Sequence, residues 1–241
     1  GERSSRTIQV QRPLCKSDLR KASKHTTHQV VLGDIQEENV TSEKILEQFD
    51  IPIKDVVAIY PYGSRVYGCH TNASDHDWVI VYKSYLLPSG AFKDNAISSE
   101  DRSHQAICFS RTGFQAAIDS YEITALECAF LPREKCVLSS LKFSVRKWNT
   151  SDMCAAIISK SSASWHLAHT ADMDIDKARK NIYHALRILG FGLQMAETGT
   201  ITDYSAYNHL QNDIIHGDDF SIKKYLGLRN TLMADIREKT S

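Results

Sequence analysis

Nowhere in the 241 residues does an apolar run approach the roughly 18 residues that a membrane-spanning helix needs, so no membrane partner is expected. Paired cysteines are also missing. The six cysteines (Cys15, Cys69, Cys108, Cys128, Cys136 and Cys154) are scattered, with no Cys-x-x-Cys among them. That pattern supplies neither a zinc site nor a disulfide framework and reads as reduced intracellular thiols. The His25/His28 and His166/His169 pairs have no cysteines nearby to complete a metal site, and read as solvated or hydrogen-bonded histidines. Charge of one sign is absent as well. Twenty-nine basic residues balance 29 acidic ones for a formal net charge of +0, so any nucleic-acid contact must come from a local patch. There is no internal repeat and no low-complexity tract. The N-terminal GERSSRTIQVQRPLCKSD has no apolar signal core, so the expected location is intracellular and cytoplasmic.

What is present is an ordinary globular composition, 42% hydrophobic and 24% charged, long enough for one large domain or two small ones. Residues 1–40 are polar and basic-leaning; the stretch RKASKHTTH reads as a solvated arm ahead of an arm that touches nucleic acid. Thr41 or Ser42 can cap a short helix carrying Ile45, Leu46 and Phe49, which Pro52 ends. Residues 56–60 form a β-branched strand, Gly63 breaks it, residues 65–68 can begin a helix, and residues 78–82 form a second strand. Residues 86–102, with Pro88, Gly90 and several charges, read as a loop. A third strand is predicted over 106–109 and one or two helices over 114–130. Beyond residue 140 the pattern turns helical. Its clearest element is 177–197, where Ile182, Ala185, Leu186, Leu189 and Leu193 form one apolar side ahead of Gly199. Further helices are expected over 210–215 and 225–236. The expected organisation is a basic arm (1–40), an α/β (α+β) core with a small mixed sheet (41–138) and a helical C-terminal domain (139–241).

The chemistry concentrates between Tyr60 and Lys83, YPYGSRVYGCHTNASDHDWVIVYK. A strand that runs through Gly63-Ser64 into a helix offers backbone N–H groups to phosphate, and Gly63 lets backbone approach a ligand closely. Ser64 can cap the helix and donate to a phosphate oxygen, and Arg65 supplies charge. Asp75 and Asp77, two apart at a strand entrance, point to one face and repel unless a cation lies between them. Hard oxygen ligands of this kind suit Mg²⁺ or Mn²⁺, which also bridges to substrate phosphates. A turn for phosphate at one end and metal ligands at the other describe transfer of a nucleotidyl group.

GSRVYG followed by SDHDWVIV resembles the signature of the DNA polymerase beta-type nucleotidyltransferase superfamily, in its small "predicted nucleotidyltransferase" branch. The resemblance covers residues 56–82, is weaker over 104–137, and returns in KNIYHALRILGFGLQMAETGTI. It implies a nucleotidyltransferase core whose Asp75 and Asp77 hold metal and whose third carboxylate sits on a later strand. That strand reads HQAICFS, with His104 or Gln105 where an aspartate belongs. Glu127, in TALECAFLP, resembles another acidic position of the branch and is the substitute third catalytic and metal carboxylate; Asp101 is the second candidate. Lys177, Lys180, His184 and Arg187, at spacings of 3, 4 and 3, share a helix face that would grip a triphosphate tail or an acceptor strand.

Together these readings describe a metal-dependent enzyme that moves a nucleoside monophosphate from a nucleoside triphosphate to an acceptor hydroxyl. The preferred acceptor is an RNA or tRNA 3′ end, with a protein hydroxyl next. Gly63, Ser64, Arg65, Lys180, His184 and Arg187 are the expected nucleotide contacts. The competing reading, prompted by HQAICFS, is a non-catalytic nucleotide- or RNA-binding module on the same fold.

Overall fold

The computed structural model describes residues 40–170 and 173–239. The predicted arm, with RKASKHTTH, Cys15 and the His25/His28 pair, lies outside the described residues except for Val40.

Helix α1 (Ser42–Glu47) begins where Thr41 accepts a hydrogen bond from the Lys44 amide, and buries Ile45 and Leu46. Strand β1 (Val56–Tyr62) leads through Gly63 into a single helical turn, α2 (Ser64–Tyr67). Strands β2 (His76–Tyr82), β3 (Lys93–Ser98) and β4 (His104–Phe109) follow, then helices α3 (Arg111–Asp119) and α4 (Ile123–Phe130) and the short strand β5 (Leu138–Ser139). The five strands lie in the order β3-β4-β2-β1-β5; β2 and β4 pair in parallel, and every other neighbour is antiparallel. The mixed α/β architecture with helices in the C-terminal half agrees with expectation.

One expectation fails here. Residues 86–102 are not simply a loop, because they contain β3, an edge strand. Its ladder to β4 slips between Asp94 and Ile97, and Ala96 takes a positive φ of 54°. An irregular, charged edge strand lacks the alternation that marks a strand in sequence, and these features also discourage pairing with another chain.

The sheet is covered on both faces, which explains why its inner strands are so apolar. Trp78, Ile80, Ala106 and Cys108 pack against Ile45, Leu46 and Leu87. Val79, Val81 and Phe109 point the other way, into a cluster that runs through Phe114, Ile118 and Leu126 to Leu186, Leu189 and Phe191. Each such fully buried side chain contributes about 1.5–3 kcal/mol.

The C-terminal half holds α5 (Thr150–Leu167), α6 (Ile175–Thr198) and α7 (Ile222–Glu238). Asp174 caps α6 by accepting from the Asp176 and Lys177 amides, and Gly199 ends it in a left-handed conformation. From Ala185 through Gly192 this helix is buried on all sides, as befits an element enclosed by neighbours. A Cβ on Gly190 would lie 2.6 Å from Tyr207 Cζ and closer still to its Cδ2 and Cε2, so the tyrosine ring rests directly on the α6 backbone. The helix expected over 210–215 is a 3₁₀ turn (Asn208–Leu210) followed by a π-helical turn (Asn212–His216). Arg179 of α6 donates to the Ile214 and Ile215 carbonyls there.

Candidate active site

Pairing in the sheet brings the predicted residues together. Tyr62, the last residue of β1, pairs with Asp77, and Asp77 pairs on its other side with Gln105 of β4. Tyr62, Asp77 and Gln105 therefore sit side by side on the face covered by the helical half, and Asp75 projects to the same side two residues earlier. Gly63 follows Tyr62 directly. Its backbone, at φ 75° and ψ −153°, lies in a region that is essentially restricted to glycine. A Cβ there would stand 2.9 Å from Asp77 Cγ and 3.0 Å from Asp77 Cβ, and would overlap the carboxylate oxygen. The Gly63-Ser64 turn and Asp77 are thus in contact, through the one position in the turn that has no side chain.

Electrostatics mark the same spot. Burial first, and then the neighbouring Asp75 charge, raise the Asp77 carboxyl to about 7 against the opposing charge of Arg65. A carboxylate held in this way favours either a proton or a nearby cation. Gln105 donates its side-chain amide to Asp75 Oδ2. Arg65 does not reach outward: its guanidinium donates to the Ser74 carbonyl at 2.9 Å and to the Asp75 carbonyl at 3.4 Å, tying α2 to the segment that enters β2. Ser64 is half-buried, and its hydroxyl has no hydrogen-bond partner among the described residues.

The other predicted residues lie apart from this pair. Asp101 is exposed and closes the β3–β4 turn, where it accepts from Ser99 Oγ, the Ser103 amide and Ser103 Oγ; these bonds hold its carboxyl down at about 2. Glu127 is buried, 3% exposed, inside α4. Burial pushes its carboxyl up to about 7 against the opposing effects of Arg187 and the Tyr67 hydrogen bond. The basic helix face splits in two. Lys177 and Lys180 are exposed, whereas His184 is half-buried and Arg187 is buried. Arg187 donates to His184 Nδ1 at 2.9 Å and stacks on the Tyr67 ring at 3.6 Å. Burial, followed by the Arg187 and Lys160 charges, holds His184 down at about 3, so its ring is a neutral acceptor.

Among the described residues no three His, Cys, Asp or Glu side chains are grouped so as to hold a metal, and so Asp75, Asp77 and Glu127 are not such a group. Two carboxylates beside the Gly63-Ser64 turn are a donor set that would suit a single Mg²⁺ or Mn²⁺, with other ligands supplied from outside the protein. Two surface grooves, one beside Tyr82, Tyr85 and Leu86 and one beside Cys154, Ile158 and Arg237, involve none of these residues. No described helix is long and apolar enough to cross a membrane.

Sequence reasoning missed Tyr67, Asn208 and Gln211, which surround the turn from behind. Tyr67 stands inside the motif, and its place on the inner side of α2 could have marked it. Asn208 and Gln211 leave no trace in sequence, since their partners are more than a hundred residues away.

No family model and no curated protein sequence matches the chain. Among solved structures it is similar to a nucleotidyltransferase-like protein from Exiguobacterium sibiricum, at 9% identity and a TM-score of 0.31, over 83% of this chain and 73% of that one.

Proposed function

We propose that the chain is a metal-dependent nucleotidyltransferase that moves a nucleoside monophosphate from a nucleoside triphosphate to an acceptor hydroxyl, with an RNA or tRNA 3′ end as the preferred acceptor. The observation that carries this reading is the contact between Gly63 and Asp77, which makes the phosphate turn and the carboxylate pair one site. In the reaction, the acceptor oxygen bonds to the α-phosphorus, the bond from that phosphorus to the β-phosphate oxygen breaks, pyrophosphate leaves, and the hydroxyl proton passes to water. Asp75 and Asp77 would hold Mg²⁺ or Mn²⁺, which supplies charge neutralisation on the phosphates. Ser64 would offer its half-buried hydroxyl to a phosphate oxygen. Arg65 fixes the distance between turn and carboxylates through the Ser74 and Asp75 carbonyls. Gln105 orients Asp75 by donating to it. Lys177 and Lys180, the exposed members of the basic face of α6, would meet an acceptor or a phosphate tail.

Gln105 also favours a second reading. At the β4 position paired with Asp77 it presents an amide, not an acid, as a non-catalytic nucleotide-binding module would. Incubating the protein with each labelled nucleoside triphosphate, Mg²⁺ or Mn²⁺ and a cell extract separates the two. Label transferred to RNA supports the proposal, and label on protein moves the acceptor to a protein hydroxyl. Binding without pyrophosphate release supports the second reading. Full transfer by the Asp75→Asn/Asp77→Asn double variant would sink the catalytic assignment.

A further inference from the structure

The reaction outlined above leaves a buried polar cluster without a task. Tyr67, the last residue of α2, donates its hydroxyl to Glu127 Oε2, and its ring carries the Arg187 guanidinium on one face. Its backbone carbonyl accepts from Asn208 Nδ2. Two residues on, the Cys69 carbonyl accepts from Gln211 Nε2 at 2.8 Å. Glu127 is fixed in turn, its own carbonyl accepting from Tyr204 Oη at 2.6 Å.

We propose that Glu127 is a positioning residue for nucleotide binding: with Arg187, Asn208 and Gln211 it fixes the Gly63 turn from the rear, and it is not a metal ligand. The proposal rests on the nucleotidyltransferase reading and assigns the helical half its part in that site.

The physics of the turn requires such support. A four-residue helix has no stability of its own, because nucleation costs more than one turn of hydrogen bonds returns. Gly63 adds a backbone conformation that persists only where the surroundings impose it. The support comes from behind, through Tyr67, and reaches the ligand side through a single helical turn. Any tilt of Tyr67 moves Gly63 against Asp77, since those two already touch. Glu127 is poorly suited to a metal. One oxygen is taken by Tyr67, the residue is 3% exposed, and among the described residues it belongs to no group of ligands. Its location between α2 and α6 suits a mechanical role.

The test uses the full chain and MgATP as probe. Glu127→Gln keeps an acceptor for the Tyr67 hydroxyl, and Glu127→Ala removes it. As a positioning residue, Glu127 predicts MgATP affinity within about threefold of wild type for the glutamine and a loss of about tenfold or more for the alanine. The Mg²⁺ concentration giving half-maximal binding at fixed ATP stays the same in both. A metal ligand predicts the opposite: the glutamine as damaging as the alanine, with that concentration raised about tenfold, which would overturn the proposal. Hydrogen exchange at the Val66 and Tyr67 amides gives a readout independent of nucleotide. It is expected to quicken in Glu127→Ala and in Asn208→Ala, with Glu127→Gln near wild type, and equal protection in all four proteins refutes the brace. Asn208→Ala carries the comparison if Glu127→Ala fails to fold. Wild-type protein that binds no MgATP would refute the nucleotidyltransferase reading, while the exchange data would still decide whether Glu127 holds the turn.

Discussion

Replacing Gly63 with alanine would place a methyl carbon 2.9 Å from Asp77 Cγ and 3.0 Å from Asp77 Cβ, with the carboxylate oxygen nearer still. Two costs add. The backbone at φ 75° and ψ −153° costs a side-chain-bearing residue about 1–3 kcal/mol. Overpacking adds about 1–3 kcal/mol, because Asp77 Cβ is anchored in β2 and only its carboxylate can swing away. The expected loss is therefore about 2–6 kcal/mol, or on the order of 5–20 °C in melting temperature for a chain of this size. Urea unfolding of a double-mutant cycle with Asp77→Ala isolates the contact. In the alanine-77 background the carboxylate is gone, and Gly63→Ala should cost about 1–3 kcal/mol less than in wild type. MgATP binding by Gly63→Ala should fall further than its stability alone would dictate, since the displaced group is the proposed metal ligand. A Gly63→Ala protein within about 0.5 kcal/mol of wild type, or an equal cost in both backgrounds, would refute the contact and with it the unity of the site.

Glu127 makes stability depend on pH. Its carboxyl is raised from 4.5 to about 7, so the folded state binds more protons than the unfolded state between those values. Stability should be greatest below pH 4.5 as far as this group is concerned and should decline by about 3 kcal/mol as pH rises through 7; Glu127→Gln should remove this share of the slope in urea titrations and leave the share that Asp77 contributes in the same window. Gln105→Asp would set a third carboxylate beside Asp75 and Asp77. It should destabilise the fold at neutral pH by about 1–3 kcal/mol, with Mg²⁺ restoring the loss in thermal melts, and a Mg²⁺-insensitive deficit would argue against a cation site. Gly190→Ala would drive a methyl into the Tyr207 ring at a cost of about 1–3 kcal/mol, which Tyr207→Ala should largely relieve in a denaturant cycle.

The parts of the fold read correctly from sequence were those whose signal is local. Strands β1 and β2 are buried on both faces and consist of continuous apolar runs. Helix α6 shows its stripe and its closing Gly199, whereas its Asp174 cap and first residues were not read. Strand β3 was missed because KDNAIS has a kinked backbone and an edge position. The site was half legible. Gly63 and Asp77 declare themselves through residue type, and the sheet register then brings them together. Arg187 does not. Its spacing from Lys180 puts it on the same helix face, but Tyr67 covers that face at the level of Arg187 and leaves it open at Lys180. A helical wheel records angle, and burial here varies with height along the axis. Glu127 was noticed as an acid, yet its environment is set by Tyr67, Tyr204 and Arg187, which come from elements distant in sequence.

The Asn208 and Gln211 bonds to the carbonyls of Tyr67 and Cys69 span 141 and 142 residues of chain. During synthesis the Gly63-Ser64 turn therefore leaves the ribosome long before the residues that hold it. At about 5–20 residues per second the interval is roughly 7–30 s, long compared with the folding time of a small sheet. A nascent chain can assemble β1 and β2 in that time and still hold its turn loosely. Order in the proposed nucleotide turn would then follow only once residue 211 has emerged, so that fragments released earlier carry the motif without an ordered turn.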